Sequence, residues 1–352
     1  MKATHNECPN IIRLELSSTC NLQCPHCRHH APEKKASKDY PELYKNEVHM
    51  SEKQVEDIIN EVAEYSPSFT LNVANEPTIS PTFLFAVKKI KEKGLTATFN
   101  TNGLKLSKEM CDILVDIKFD SVSISIDALT PETLIKARGI KNLDRIKKNI
   151  QVLLKARGDL PYPRIGVTFV ITDYSKHELD GFIDYWKEYV DVIRVTSYIT
   201  DNNPDIHNTE SADVRLVSGI EAGNVNKRIP CKQLFSDIVI RANGDITPCV
   251  ITSENPDGPT LGNIFDDGGV LAVWNSEKFN NVRNLHNQEK WGDVSYCKNC
   301  DYWIESNEMK EEETEDFIIR SPSPYTAFYN VKKKMGNWSR ELVDRQGFDI
   351  EI

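Results

Sequence analysis

Three cysteines stand close together near the start of the chain, at Cys20, Cys24 and Cys27, in a C-x3-C-x2-C run. A closed zinc site requires four nitrogen or sulfur ligands. Three thiolates instead suit a [4Fe–4S] cluster, because they occupy three irons and leave the fourth iron open to an outside ligand. The spacing therefore favours such a cluster, with a zinc site completed by a nearby histidine as the alternative. The candidate histidines are His26, His29 and His30.

A second set of cysteines lies in the later part of the chain, at Cys231, Cys249, Cys297 and Cys300. Between the first two, Asn243-Gly244-Asp245 is typical of a hairpin turn, which would bring both cysteines onto neighbouring strands. The last two form a C-x2-C pair, the usual spacing for two ligands from one loop. Four thiolates suit either zinc or an iron–sulfur cluster, and the spacing alone does not choose between them.

Two cysteines remain outside these sets. Cys111 falls in a predicted helix, where a buried cysteine behaves as a small hydrophobic residue. Cys8 precedes the first predicted strand. We assign neither a chemical role.

The composition is that of an ordinary globular protein, with 352 residues, 39% hydrophobic residues and 27% charged residues. A net charge of −10 disfavours nucleic acid as a partner, because there is no basic excess to neutralise phosphates. No run reaches the roughly 18 apolar residues that a membrane span needs. We therefore expect a cytoplasmic protein with reduced thiols and no membrane partner.

The elements that must position these residues follow from the apolar pattern, which alternates between strand and helix periods. Six strands separated by five helices indicate βα units and a parallel sheet, either open or closed into a barrel. The first cysteine run follows the first strand, and ligands gather at the carboxyl ends of parallel strands. The predicted strands are residues 11–17, 69–73, 96–100, 121–126, 164–170 and 192–195.

The pattern changes after residue 200 and predicts four segments. Residues 1–200 form the parallel-strand domain, and residues 201–230 form a polar linker. Residues 231–310 form a domain that carries the second cysteine set. Residues 311–352 contain an acidic linker and a docked amphipathic helix. We expect the helix aromatics to pack in the core; they are Tyr325, Phe328 and Tyr329.

The cysteine run after a first strand resembles the radical S-adenosylmethionine (radical SAM) superfamily. The resemblance implies a partial (β/α)6 TIM-like barrel over residues 10–200. It implies that the open iron binds the amino and carboxylate groups of S-adenosylmethionine (SAM). Reductive cleavage of SAM then gives a 5′-deoxyadenosyl radical that takes a hydrogen atom from a substrate. A flavodoxin or ferredoxin is the implied electron donor.

Motifs at later strand ends extend this resemblance. Ala74-Asn75-Glu76-Pro77 is similar to the Gly-Gly-Glu-Pro motif that holds the methionyl amino group, although both glycines are replaced. Asn100-Thr101-Asn102-Gly103 follows the third strand, as Thr-Asn-Gly does in relatives. Ser125-Ile126-Asp127 resembles the Ser-x-Asp that contacts the ribose, and Arg138 resembles an arginine that pairs with the methionyl carboxylate. The implied SAM contacts are Asn75, Glu76, Asn102, Ser125, Asp127 and Arg138.

The second cysteine set resembles the SPASM/twitch extension of radical SAM enzymes. Residues 261–264 and 274–276 lie between its two cysteine pairs as they do in relatives. No cysteine follows Cys300, so we expect the shorter twitch form, with one auxiliary [4Fe–4S] cluster held by four protein thiolates. A fully ligated cluster has no iron open to substrate, which favours electron transfer or tuning as its role.

The expected reaction is hydrogen abstraction from a small polar substrate such as a sugar, aminocyclitol or nucleoside-like metabolite, in an oxidation or redox-neutral rearrangement of a biosynthetic pathway. Few residues precede the first strand, where many peptide-modifying relatives carry a peptide-binding domain. The cysteine spacing also resembles that of an aminocyclitol alcohol dehydrogenase. The alternatives are maturation of a ribosomally made peptide, by crosslinking or Cα modification, and a non-catalytic iron–sulfur or zinc module.

Substrate contacts are harder to predict, and no catalytic base or hydrogen donor is assigned. Arg13 and Glu15 share one face of the first strand because side chains alternate along a strand. They point either to substrate or cofactor contacts or to a structural ion pair within the barrel. Thr168 and Thr196 are further candidates for the barrel interior.

Overall fold

The computed structural model describes residues 3–197, 228–253, 259–300, 302–303, 309–323 and 326–337. The strands in these residues are β1 (Ile11–Leu14), β2 (Ser68–Thr70), β3 (Thr96–Thr101), β4 (Ser121–Ser125), β5 (Arg164–Ile171), β6 (Val192–Ser197), β7 (Asp237–Ile240), β8 (Asp245–Thr247), β9 (Gly262–Asn263), β10 (Lys310–Glu313), β11 (Phe317–Ser323) and β12 (Thr326–Val331).

The α-helices are α1 (Pro32–Lys35), α2 (Glu42–Lys45), α3 (Glu52–Val62), α4 (Phe83–Glu92), α5 (Lys108–Asp116), α6 (Pro131–Arg138), α7 (Leu143–Arg157), α8 (Leu179–Trp186), α9 (Gln233–Ser236), α10 (Val250–Ser253), α11 (Val270–Trp274) and α12 (Glu277–Asn287). Short 3-10 helices span Ala63–Tyr65, Pro77–Ile79, Lys176–Glu178, Trp291–Asp293 and Lys332–Asn337. None of the helices in the described part of the chain is long and apolar enough to cross a membrane.

The first of two compact units comprises Met1–Asn21, Glu33–Ala97 and Asn226–Ser306. Its central strand is β1, which pairs in parallel with β2 on one side and with β7 on the other. β7, β8 and β9 continue as antiparallel neighbours. Ile11, Ile12 and Leu14 are all buried. Ile11 and Ile12 point to opposite faces of the strand, so their burial is typical of a parallel strand that is covered on both faces.

The second unit comprises Leu22–Pro32, Thr98–Val225 and Asn307–Ile352. β3, β4, β5 and β6 pair in parallel, in chain order. β6 then pairs antiparallel with β12, followed by β11 and β10. The helices bury aromatic residues against the strands, as where Phe169 of β5 meets Phe182 of α8 at 4.8 Å between ring centroids. The planes of the two rings are inclined at 58°, and aromatic pairs prefer such arrangements to a face-to-face stack.

The prediction of an α/β fold with parallel strands is confirmed, and each of the six predicted strands is present. β1 ends at Leu14 rather than at residue 17. The sequence analysis missed α6, although its capping signals are readable. Thr130 caps its first turn, Pro131 begins it, and Gly139 follows it with φ +73°.

The prediction of a C-terminal helix with aromatic side chains was wrong, because Phe328 and Tyr329 lie in strand β12. The residues of β12 are buried throughout, and its Thr, aromatic and Val side chains suit a strand packed on both faces. The expected core packing is correct for both aromatics. Tyr325 lies outside the described residues, as does most of the predicted 201–230 linker.

The acidic stretch expected to be a linker forms strand β10 instead. Its residues are mainly exposed, and they pair antiparallel with β11. Glu311 is joined to Arg320 at 2.9 Å, and Glu313 to Lys332 at 2.8 Å. Acidic side chains on a strand that ends a sheet oppose pairing with another chain.

Two glycines with left-handed backbones offer a test of this packing. Gly103, in the turn after β3, has φ +75°, and an added Cβ would lie 2.9 Å from Ile124 Cγ2. Gly94 has φ +71° and open space around the same position. We expect Gly94→Ala to cost about 1 kcal/mol for the left-handed backbone alone. Gly103→Ala should cost at least about 1 kcal/mol more, because the buried isoleucine must also move. Urea unfolding measures both, and equal losses would contradict the packing at Gly103.

Candidate cofactor site and auxiliary cysteine site

The loop that begins the first cysteine run lies in the first unit, directly after β1. Glu76 donates its backbone N–H to the carbonyl of Thr19 at 2.9 Å. This bond joins the residue before Cys20 to the Ala74-Asn75-Glu76-Pro77 segment. Within the first unit, the two sequence motifs predicted to meet at the cofactor are therefore neighbours.

The Ala74–Pro77 segment is held by side chains of its own and of β1. The N–H of Ala74 donates to Glu15 Oε1 at 3.1 Å, and the N–H of Val73 donates to Asn75 Oδ1 at 3.2 Å. Glu76 is buried, and its Oε1 accepts from the Thr78 N–H and hydroxyl. Asn75 Nδ2 is buried and has no hydrogen-bond partner among the described residues. A buried amide donor of this kind is available to hydrogen-bond a ligand.

Cys24 and Cys27 lie in the second unit, in a tight turn. The N–H of Cys27 donates to the carbonyl of Cys24 at 2.9 Å, and the N–H of His30 donates to Cys27 Sγ at 3.2 Å. Burial raises the pKa of the Cys24 thiol, while the Arg138 guanidinium, with Nη1 4.0 Å from Sγ, lowers it. A nearby cation favours the thiolate, which is the form that binds iron.

A buried ion pair fixes Arg138 beside Cys24. Asp127 is fully buried, and its Oδ2 accepts from Arg138 Nε at 2.7 Å. Its Oδ1 accepts from the Val170 N–H at 2.8 Å. Both carboxylate oxygens are therefore engaged by protein groups. Asp127 has φ +64°, a backbone conformation that few non-glycine residues adopt.

His26 belongs to the same group of residues. Its Nε2 lies 3.9 Å from Asp127 Oδ2, and burial lowers its pKa, so that the ring is neutral near pH 7. From the sequence, His26 was a candidate zinc ligand only, because the two residues lie about 100 positions apart and no motif joins them.

The other predicted site residues of the second unit lie at or near the ends of its strands, and three of them have side-chain hydrogen bonds within the protein. Asn102 is buried, and its Oδ1 accepts from the Leu104 N–H at 3.0 Å, which closes the turn after β3. Ser125 ends β4 in register with Thr168. The Thr168 hydroxyl is 2.9 Å from that of Ser123. The Thr196 hydroxyl is 3.2 Å from that of Thr326, on the strand that the sequence analysis did not predict.

Arg13 and Glu15 occupy structural positions in the first unit. Arg13 forms an ion pair with Asp237 of β7, with Nη2 2.8 Å from Oδ2. Glu15 is fully buried, and its two oxygens accept from the N–H groups of Ala74 and Ala242. The structural ion pair considered for this strand is therefore present at Arg13, with a partner on the neighbouring strand.

All four cysteines of the second set lie in the first unit. Burial raises the pKa of the Cys231 thiol well above its usual value, and Cys249, Cys300 and Cys297 raise it further. Burial raises the pKa of Cys297 to about 12, with smaller contributions from Cys249 and Cys300. The four thiols thus share one region. Among the described residues, however, no three His, Cys, Asp or Glu side chains already surround one point as metal ligands would.

The predicted hairpin brings Cys231 and Cys249 towards each other. β7 and β8 pair antiparallel around Gly244, which has φ +87°. The N–H of Val250, next to Cys249, donates to Gln233 Oε1 at 3.2 Å. This bond links the segments that carry the two cysteines, as the turn signal predicted.

Arg228 and His286 support the same region. Arg228 Nη2 donates to the Cys297 carbonyl at 2.7 Å, and its guanidinium lies 5.0 Å from the centre of the Trp291 ring. His286 Nδ1 accepts from the Cys231 N–H at 3.3 Å. Burial and the charge of Arg228 lower the pKa of His286 to about 4, so its ring is neutral and able to accept. Both residues were missed by the sequence analysis because neither stands in a motif.

Comparison with known proteins decides the family. Residues 14–185 match the sequence model of the radical SAM superfamily, and residues 231–301 match that of the SPASM iron–sulfur cluster-binding domain. The chain belongs to the radical SAM superfamily. It is therefore an enzyme, and the prediction of the family is confirmed.

Three relatives of this radical SAM enzyme are informative. The mycofactocin maturase MftC of Mycobacterium tuberculosis is 25% identical over 84% of this chain and 78% of its own length. The Fe-coproporphyrin III synthase of Methanosarcina barkeri is 23% identical over 81% of this chain and 74% of its own. Streptococcus suis SuiB bound to SAM has the same fold, with a TM-score of 0.60, 18% identity, and coverage of 79% of this chain and 68% of SuiB. SuiB is also known with its precursor peptide SuiA bound.

A radical SAM enzyme with a SPASM domain uses SAM, a SAM-binding [4Fe–4S] cluster and auxiliary iron–sulfur clusters as cofactors. The match to both models confirms the predicted cofactors. The side chains present fit them. No cysteine of the described residues is in a disulfide. Cys24 lies near a cation, four other thiols share one region, and Asn75 Nδ2 is a buried donor with no partner in the described protein.

The Asp127–Arg138 pair of this enzyme offers a stability test. Arg138→Met leaves a buried carboxylate without its cation, so we expect a loss of about 3–5 kcal/mol in the free energy of unfolding. Adding Asp127→Asn removes that charge and keeps an acceptor for the Val170 N–H. The double variant should therefore be more stable than Arg138→Met alone. Urea unfolding of the reconstituted protein measures the three stabilities. A double variant no more stable than Arg138→Met would contradict the ion pair.

Proposed function

We propose that this protein is a radical SAM maturase that abstracts a hydrogen atom from a peptide substrate and thereby crosslinks it or modifies it at Cα. The observation that carries the proposal is the relationship to mycofactocin maturase. The similarity extends over 84% of this chain. It therefore includes both the radical SAM region and part of the later cysteine region. SuiB, bound to its precursor peptide, illustrates that the same fold accommodates a peptide.

The proposed ligands of the SAM-binding cluster are Cys20, Cys24 and Cys27. When bound, SAM and this cluster supply a 5′-deoxyadenosyl radical that takes a hydrogen atom from the substrate. Asn75 is the proposed donor to SAM, because its buried Nδ2 has no partner in the described part of the protein. Arg138 keeps positive charge beside Cys24, and Asp127 fixes its position.

The remaining proposed SAM contacts are Glu76, Asn102 and Ser125. Glu76 is buried, and its side chain caps the 3-10 helix at Pro77–Ile79 by accepting from Thr78, so the position of the residue is fixed. Asn102 shapes the turn after β3, and Ser125 ends β4. Each of them places polar groups near the carboxyl end of a parallel strand, where ligands bind in folds of this class.

The proposed ligands of the auxiliary cluster are Cys231, Cys249, Cys297 and Cys300. Four protein thiolates fill the four irons of one [4Fe–4S] cluster, which leaves electron transfer or tuning as its role. The Arg228 guanidinium carries a positive charge close to three of these thiols. A flavodoxin or ferredoxin remains the proposed electron donor.

The peptide substrate replaces the small polar metabolite as the favoured class. The relatives matched over most of both chains include several mycofactocin maturases, at 23–25% identity. A small-molecule substrate stays as the second candidate, because the Fe-coproporphyrin III synthase is matched over a similar share of this chain.

The two cluster assignments predict iron contents that cysteine variants can separate. Anaerobically reconstituted protein should hold about eight irons, as two four-iron clusters. Cys20→Ala/Cys24→Ala/Cys27→Ala should hold about four and form no 5′-deoxyadenosine with dithionite and SAM. Cys111→Ala is the control, because this buried thiol lies in α5, outside both sets. Full iron content in the triple variant, or tightly bound zinc in place of iron, would contradict the assignments.

The substrate class is tested with peptides copied from short reading frames beside the gene. Reconstituted enzyme, SAM and dithionite should raise 5′-deoxyadenosine formation with one such peptide and change its mass. Deuterium placed in that peptide should appear in 5′-deoxyadenosine, because the radical takes the hydrogen atom directly. Parallel reactions contain a sugar, an aminocyclitol, a nucleoside or a coproporphyrin. Deuterium transfer from one of these, with every peptide unchanged, would establish the small-molecule class instead.

A further inference from the structure

Glu15 lies where three functional segments of the first unit meet. It follows β1 directly, and its own N–H extends the β1–β7 ladder by donating to the Ile240 carbonyl at 2.9 Å. The chain then continues towards Cys20. Ala74 begins the segment proposed to contact SAM, and Ala242 begins the hairpin turn that leads through β8 to Cys249.

The Glu15 carboxylate bonds to both of the other segments at once. Oε1 accepts from the Ala74 N–H at 3.1 Å, and Oε2 accepts from the Ala242 N–H at 3.0 Å. Two backbone N–H groups from separate loops thus converge on one side chain. A carboxylate is the side-chain group that offers two equivalent acceptor oxygens, whereas an amide would turn its own N–H₂ towards one of the two donors.

Holding a carboxylate in this place is costly. The side chain is fully buried, and burial raises the pKa of Glu15 to about 7 against the lowering effect of the two N–H groups and Arg241. An apolar side chain would avoid this desolvation but would leave two buried N–H groups without acceptors. The carboxylate therefore satisfies both loops together.

We propose that Glu15 is a positioning residue that couples the SAM-binding segment to the auxiliary-cluster hairpin, so that a change at either one is felt at the other. The inference rests on the proposed roles of Asn75 and Cys249. Coupling follows because each oxygen can keep its hydrogen bond only while the other loop holds the carboxylate in place. A shift of one loop rotates or withdraws the acceptor of the other.

A second carboxylate in the same unit supplies a matched control. Glu61 of α3 accepts from the N–H groups of Val270 and Leu271, at 2.9 and 2.8 Å. These bonds hold the first turn of α11, and neither of them goes to the Ala74 segment or to the hairpin before Cys249. Glu61→Gln likewise replaces a carboxylate that accepts from two backbone N–H groups, here at a half-buried position, and tests what a purely structural loss produces.

The test compares these two variants as reconstituted holoproteins. We expect Glu15→Gln to raise the dissociation constant for SAM at least about tenfold, because one buried N–H loses a charged acceptor. It should also shift the electron paramagnetic resonance g-values of the reduced auxiliary cluster, recorded in protein that also lacks Cys20, Cys24 and Cys27. Glu61→Gln should leave the dissociation constant for SAM within about twofold of the parent's and the g-values unchanged. This should hold even if its thermal midpoint falls as far as that of Glu15→Gln.

Hydrogen–deuterium exchange of the unmutated holoprotein provides a second measurement that does not depend on a variant folding. SAM should slow exchange in peptides covering residues 72–78 and also in those covering the hairpin at 241–247. Protection of the first segment alone, or SAM affinity and g-values in Glu15→Gln equal to those of the parent, would overturn the coupling. A parent protein that binds no SAM, or holds no auxiliary cluster, would instead overturn the proposed function.

Discussion

The structure of the first unit depends on the hydrogen-bond ladders of β1. This strand is buried on both faces and pairs in parallel with β2 on one edge and β7 on the other. Its parallel partners come from distant parts of the chain, at Ser68 and Asp237 in register with Ile11. A parallel pair needs a long crossover connection, so one strand with two such partners commits much of the chain to a single arrangement. Displacing β1 would separate the Ala74 segment from the hairpin before Cys249.

Within each unit, charge and burial act in opposite directions on the pKa values of the cysteine thiols. Burial alone disfavours thiolates, as the raised pKa values of Cys24, Cys231 and Cys297 indicate. Arg138 and Arg228 place a cation near each cysteine set and reduce that penalty. The two arginines are fixed by different means, one by the Asp127 carboxylate and the other by a backbone carbonyl and an indole ring. Each cysteine set therefore carries its own source of positive charge.

The sequence allowed much of this to be predicted, because the information is local. The six parallel strands are predicted by the alternation of strand and helix periods, the hairpin by an Asn-Gly-Asp turn, and the two cysteine sets are recognised by their spacing. The predictions failed where a distant partner decides the outcome. Phe328 and Tyr329 suit a helix face as well as a strand, and pairing with β6 and β11 makes β12 a strand. Likewise, Glu15 on a strand looks like a substrate contact until the backbone groups of Ala74 and Ala242 are seen to meet it.

The two compact units are interleaved along the chain, and this has a consequence for biosynthesis. β6 gains its antiparallel neighbour only from β12, with Thr196 opposite Thr326, and β1 gains β7 only after more than half of the chain has been made. Neither unit can therefore complete its sheet while the ribosome is still translating the middle of the protein. Sheets that join distant segments form slowly and leave strand edges open in the meantime. The proposed auxiliary cluster can accordingly acquire all four of its thiolates only after Cys300 has been made, late in synthesis.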